Sequence, residues 1–258
     1  MVKIDRDKLL HHIHEPEDQL KMKQIIDKIE IVLRSHGQQE TDFLNPHEIE
    51  MTISILNQFD TLKYQVFGGY DEAEQKIIYI YPFYIENPQC GLTIFKFDSL
   101  EGIKHPDILG SLLGLGIDRR KIGDILIGKE YTYFFVKNEI ANFIQFNFNQ
   151  ISRESVLVKA VSTIDQIPKK RFEKKKIIAS SLRLDTFIAQ SYNLSRSNAL
   201  DLIKREQVKV NYAKERKSSR ELVEGDMVSV RKFGRIIFER IENRTKKENY
   251  VIEIKIPK

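Results

Sequence analysis

Cys90 is the only cysteine in the chain. An internal disulfide and a cysteine metal cluster are therefore excluded, and with no histidine–carboxylate motif assigned to it Cys90 reads as a passive residue. No apolar run approaches the ~18 residues of a membrane-spanning helix. The first residues, Met1-Val2-Lys3-Ile4-Asp5-Arg6-Asp7, lack the apolar core of a signal peptide. These absences point to a cytoplasmic protein with no membrane contact. Nucleotide chemistry is also missing its usual marks. Gly110, Gly114 and Gly116 fit neither a P-loop nor a dinucleotide fingerprint, and they read as tight helix packing and a helix stop. No Gly-rich strand-loop-helix suits a methyl donor, and no nucleotide signature of a tRNA synthetase is present. His11-His12-Ile13-His14 has no cysteine or further nearby histidine to complete a metal set. No cofactor and no metal are expected.

Cationic charge is abundant, but only at one end. Residues 168–258 hold 24 Lys and Arg against 12 Asp and Glu, a net of +12. Residues 1–167 hold 18 against 25, a net of −7. A compact domain with that cationic excess repels itself unless an anion binds it, and the usual anion is a phosphate backbone. The 258 residues suffice for two or three small domains, and 41% apolar with 31% charged content suits a globular chain.

The order of elements predicts an α+β protein. Residues 1–60 read as helical. Leu20, Met22, Ile25, Ile26, Ile29, Ile31, Val32 and Leu33 recur near helical spacing, and Asn45-Pro46-His47-Glu48 is a helix start with a cap, a proline and a returning glutamate. Leu62–Phe67 and Lys76–Tyr81 suggest a hairpin. Residues 61–164 then read as β-α-β-β-α-β, with strands near 92–97, 124–127, 131–136 and 154–161 and helices near 105–115 and 138–148. That is the ferredoxin-like order shared with RNA-recognition folds. Residues 165–180 read as a basic linker that ends in a short strand, and 181–258 as a separate domain.

The last domain carries the chemistry. Leu184, Phe187 and Ile188 form one buried stripe. Ser195 is placed to cap the next helix, so Arg196 and Ser197 fall in a first turn whose free N–H groups attract phosphate. Val208 and Val210 point one way on a strand, which turns Lys209 the other way. Arg183, Arg196, Lys204, Lys209 and Asn211 are gathered in one small unit, followed by Arg216, Lys217, Arg231, Lys232 and Arg235.

The runs Arg183-Leu184-Asp185, Leu194-Ser195-Arg196-Ser197-Asn198-Ala199-Leu200-Asp201-Leu202-Ile203-Lys204, Val208-Lys209-Val210-Asn211 and Gly225-Asp226 resemble the RNA-binding domain named after ribosomal small-subunit protein four. Two positions depart from its pattern: Glu206 and Tyr212 stand where family members commonly have glycine. The resemblance implies that Ser195, Arg196, Ser197, Lys209 and Asn211 face structured RNA. Gly68-Gly69-Tyr70, His105-Pro106-Asp107 through Ile117, Lys121-Ile122-Gly123-Asp124-Ile125-Leu126 and Arg231-Lys232-Phe233-Gly234-Arg235 extend it over nearly the whole chain to the YlmH family. That likeness implies an N-terminal helical piece, an RNA-recognition-like middle domain and the C-terminal domain. It also implies binding to the large ribosomal subunit, with contacts to 23S rRNA and peptidyl-tRNA in quality control of stalled nascent chains, by a protein monomeric away from the ribosome. Some members are encoded beside cell-division genes, which keeps a division scaffold open.

In the middle domain, Tyr131, Tyr133 and Phe135 share a face where RNA-recognition folds stack bases. The missing consensus glycines and the acidic charge favour a packed or protein-facing sheet. Asp118-Arg119-Arg120-Lys121 is a candidate second RNA contact. The rival to a binding protein is an RNA-modifying enzyme, because pseudouridine synthases place their catalytic aspartate in an Arg-Leu-Asp run. Here that run lies inside the RNA-binding domain, so Asp185 reads as structural or capping, and a non-enzymatic RNA-binding protein is expected.

Overall fold

The structure is a computed structural model that describes residues 4–89, 91–169 and 171–257. The expectations for Cys90 and for Met1, Val2 and Lys3 lie outside the described residues. The chain divides into two compact units, Met1–Pro168 and Lys169–Lys258.

The first unit begins with α1 (Arg6–Leu10), α2 (Pro16–Ser35), β1 (Gln39–Glu40) and α3 (Pro46–Leu56), followed by the hairpin β2 (Leu62–Phe67) and β3 (Ile77–Pro82). Asn45 caps α3 in a full capping box: its Oδ1 accepts from Glu48 N at 3.1 Å, and Asn45 N donates to Glu48 Oε2 at 2.9 Å. Strand β3 is buried along its whole length. Its alternation feeds two cores. Ile78 and Ile80 pack with Met22, Ile26, Ile29 and Ile55 of the helices, while Ile77, Tyr79 and Tyr81 pack with Tyr133 and Phe135 on the other side. The expected boundary at residue 60 is therefore corrected. The hairpin shares a core with the helices and closes that layer.

The second half of this unit is β4 (Leu92–Asp98), α4 (His105–Gly114), β5 (Ile122–Ile127), β6 (Tyr131–Lys137), α5 (Ala141–Asn147), β7 (Gln150–Ile151), β8 (Glu154–Ser155) and β9 (Lys159–Val161). The sheet order β5-β6-β4-β9 is that of a ferredoxin-like domain. The last strand is shorter than the sequence suggested. Residues 154–155 pair back on 150–151, so only 159–161 reach the sheet. The glycines of α4 also need correction. A Cβ on Gly110 or Gly114 would meet nothing within 4 Å, so neither serves close packing, whereas Gly116 at φ +79° does stop the helix.

The two halves meet sheet to sheet. Asp124 ties them: Oδ2 accepts from Tyr70 Oη and Glu74 N, both at 2.7 Å, and Oδ1 accepts from Gln75 N at 3.1 Å. Burial and this hydrogen bond push the Tyr70 phenol well above its ordinary pKa. Tyr133 (2% exposed) and Phe135 (0%) lie inside the joint, and only Tyr131 reaches solvent. The ring face that could have stacked bases is sealed by β3 and its neighbours.

The second unit is β10 (Phe172–Ala179), α6 (Leu184–Ser191), α7 (Arg196–Lys204), β11 (Val208–Val210), β12 (Ala213–Lys214), β13 (Met227–Val230), β14 (Gly234–Arg244) and β15 (Tyr250–Pro257). Its six strands follow the order β10-β15-β14-β13-β11-β12, and α6 and α7 pack on one face around Phe187, Ile188, Ala199, Val228 and Phe238. The expected linker 165–180 does end in a strand, but a longer one than the sequence suggested: half of it is β10, paired with β15 from Phe172 to Ala179.

Candidate nucleic-acid interface

The interface is built around one buried carboxylate. Asp185, in the first turn of α6, is 1% exposed. Its Oδ2 accepts from Arg183 Nη2 at 2.8 Å and from Arg196 Nη2 at 3.2 Å, and its Oδ1 accepts from Arg183 Nε at 3.1 Å and from Thr186 N at 2.8 Å. The two arginines that begin α6 and α7 are thus fixed to one anchor, with Arg196 still 60% exposed at its side chain. Burial alone would raise the Asp185 pKa, but the hydrogen bonds from both arginines outweigh it, and the carboxyl is held below its ordinary value. A group with a depressed folded pKa stabilises fully above its unfolded pKa, and that contribution is lost as pH falls. We expect Asp185→Asn to cost about 1–3 kcal/mol near neutrality. Acid titration monitored by circular dichroism should then show the wild type losing part of this margin below about pH 4, with the variant flatter over that window.

Ser195 caps α7, as its position suggested: Oγ accepts from Asn198 N at 3.1 Å and lies 2.9 Å from Ser197 Oγ. Arg196 therefore stands where the unbonded N–H groups and the positive end of the dipole lie. On the sheet, Val208 and Val210 are buried and Lys209 is exposed. Register places Lys214, Lys209, Ser229 and Arg235 in one row across β12, β11, β13 and β14, on the face away from the core. The Arg235 guanidinium stands 5.4 Å from the Tyr212 ring centroid. At the far end of α7, Arg231 N donates to Gln207 O at 2.9 Å, which brings Arg231 and Lys232 beside the Lys204 end of the helix. Lys204, Lys209, Arg231 and Lys232 are exposed and, among the described residues, make no side-chain ion pair.

Several cations elsewhere in this unit are compensated. Lys174 and Arg240 pair with Glu253 at 3.0 and 3.4 Å, Lys176 with Glu242 at 2.6 Å and Lys255 with Glu239 at 2.6 Å. Uncompensated charge collects around α7 and β11; the other exposed cations of this unit without an ion pair among the described residues are Lys169 and Arg171 before β10, Lys217, and Lys246 and Lys247 in the β14–β15 turn.

Several expected contact residues are engaged internally. Asn211 donates from Nδ2 to Asp226 at 2.7 Å and accepts at Oδ1 from Met227 N at 2.8 Å, so its amide holds the β11–β12 turn to β13. Arg216 pairs with Glu206 at 2.9 Å, and Lys214 lies 3.8 Å from the same carboxylate. Glu206 and Tyr212 have φ of +57° and +70°. The family's glycines fit that left-handed backbone without strain, and the glutamate here also neutralises part of the cationic face. Lys217 is exposed, with its backbone N–H bonded to Glu215. In the acidic unit, the Asp118–Lys121 cluster is mostly paired within the protein: Arg120 with Asp118 at 2.7 Å, and Lys121 with Asp42 at 2.8 Å and Glu139 at 2.5 Å. Asp185 is structural, as its place inside the RNA-binding run suggested, but its role as the common anchor of Arg183 and Arg196 was not foreseen. No group of three or more His, Cys, Asp or Glu among the described residues could hold a metal ion. No helix there is long and apolar enough to cross a membrane.

A helix pair on a small antiparallel sheet, with an arginine at each helix start, a serine cap on the second helix and an outward row holding Lys214, Lys209 and Arg235, is the arrangement of an RNA-binding domain. Residues 182–228 match the S4 domain, residues 94–165 the family described as a putative RNA-binding domain in YlmH, and residues 17–85 the YlmH N-terminal family. The chain is 32% identical over 227 residues to the Bacillus subtilis ribosome-associated protein quality control protein P2, covering 85% of this chain and 88% of the relative. It belongs to the YlmH family. A solved structure of the cell division protein ylmH from Streptococcus pneumoniae superposes with a TM-score of 0.51 at 22% identity, over 57% of this chain and 93% of that one, and shares its fold.

Proposed function

We propose that this chain is a non-enzymatic cytoplasmic adaptor. In this reading it holds structured RNA of the large ribosomal subunit, with peptidyl-tRNA, during quality control of stalled nascent chains. The observation that carries the reading is the group of exposed cations with no ion pair among the described residues, Lys204, Lys209, Arg231 and Lys232, together with Arg196, which Asp185 anchors while its side chain stays 60% exposed. Arg183, Arg196, Lys204, Lys209, Arg231 and Lys232 reach phosphates, with Lys217 beside them, and Ser195 and Ser197 donate hydrogen bonds from the start of α7. Asn211, Arg216 and Arg235 shape the surface through their internal partners. Double-helical RNA is read by shape and backbone, so low sequence specificity follows. The name of the Bacillus subtilis relative supports the ribosomal setting.

The burial of Asp185 and its two arginine partners support a structural carboxylate over a catalytic one, which would have to reach a base. If about six phosphates are neutralised, the log–log dependence of affinity on salt has a slope of roughly −4 to −5. Filter binding of the full chain to deproteinised large-subunit RNA across a salt series measures it. A slope near zero would remove the phosphate-clamp reading.

A further inference from the structure

The sheet of the middle domain is sealed, but its helical side presents rings to solvent. Phe146 is 81% exposed and Phe143 46% exposed. They stand at i and i+3 on α5 and so share a face. The core does not require them, because Ile144 and Phe148 of the same segment are buried at 0% and 2%. Leu157 is 74% exposed nearby, where Gln145 Nε2 donates to Val158 O at 3.0 Å. The other exposed side chains on this segment are amides: Asn142, Gln145, Asn147, Asn149 and Gln150. Between Glu139 and Glu154 there is no carboxylate, the longest such run in residues 1–167, and Arg153 and Lys159 are exposed beside it.

An exposed ring pair suits either an apolar protein or a nucleobase, and the surroundings separate the two. Side-chain amides offer donors and acceptors to base edges. A local lack of negative charge in an otherwise acidic body spares a phosphate backbone from repulsion. Rings standing clear of the surface give π faces on which unpaired bases stack. We propose that Phe143 and Phe146 form a second RNA contact, which stacks unpaired bases of a single-stranded segment on the helical side of the middle domain.

The chain contains no tryptophan, so Phe146→Trp in the full-length protein introduces a single reporter at an exposed position. Single-stranded oligoadenylate should quench its emission, and an abasic oligomer of equal length should not. Phe143→Ala with Phe146→Ala should weaken oligoadenylate binding about 10-fold and leave the melting temperature unchanged. Emission unaffected by oligoadenylate at concentrations that saturate binding would overturn the proposal. So would a spectral shift produced by RNA-free large-subunit proteins and not by RNA, which would make the rings a protein contact. Failure of the C-terminal reading is scored separately, by the anisotropy of a labelled rRNA hairpin with Arg196→Ala plus Lys209→Ala.

Discussion

Arg196→Ala combined with Lys209→Ala should weaken binding to large-subunit RNA by about 100-fold at moderate salt. Each side chain stands for one charge-assisted phosphate contact, and two such contacts amount to about 3 kcal/mol. The fold should survive. Lys209 projects from a strand whose core contacts come from Val208 and Val210, and Arg183 still holds Asp185 at 2.8 Å when Arg196 is gone. The salt slope should become shallower by about two units. Co-sedimentation with large subunits at wild-type levels, with melting unchanged, would move the RNA contact elsewhere.

The second large effect concerns stability. Gly69 has φ +94°, and a Cβ there would lie 2.4 Å from two carbons of the Phe135 ring and 3.1 Å from Leu92 Cδ2. Phe135 is fully buried in the joint between the two sheets of the first unit, so it has little room to give. Gly69→Ala combines a left-handed backbone penalty with overpacking, and about 3 kcal/mol or more is expected. Thermal unfolding should fall by about 6–12 °C, while hairpin RNA affinity per folded molecule stays at the wild-type value. Wild-type melting would mean that the sheet-to-sheet joint is looser than the full burial of Phe135 implies.

Local signals were the legible ones. The Asn45 capping box and the Ser195 cap could be read because each is decided within four residues. The segregation of charge was legible because it needs only a count. The ferredoxin-like order followed from the alternation of apolar periods. Long-range pairings were not legible. In β10 only Ile177 and Ala179 are buried, so Lys174-Lys175-Lys176 hid the alternation of an edge strand behind a charge run. The run Ile77–Tyr81 was legible as a hairpin strand, but nothing in it named the helices packed on one side or Phe135 on the other. The roles of Glu206 and Asn211 also depended on geometry: a positive φ and a partner 15 residues away decide them.

The most direct test is ultraviolet cross-linking of the full-length chain to large ribosomal subunits, with the attached peptides identified by mass spectrometry. The account predicts ribonucleotide adducts concentrated on peptides spanning 183–235, and their loss in the Arg196→Ala, Lys209→Ala chain. Adducts confined to residues 1–167, or spread evenly over every lysine and arginine of the second unit, would contradict it.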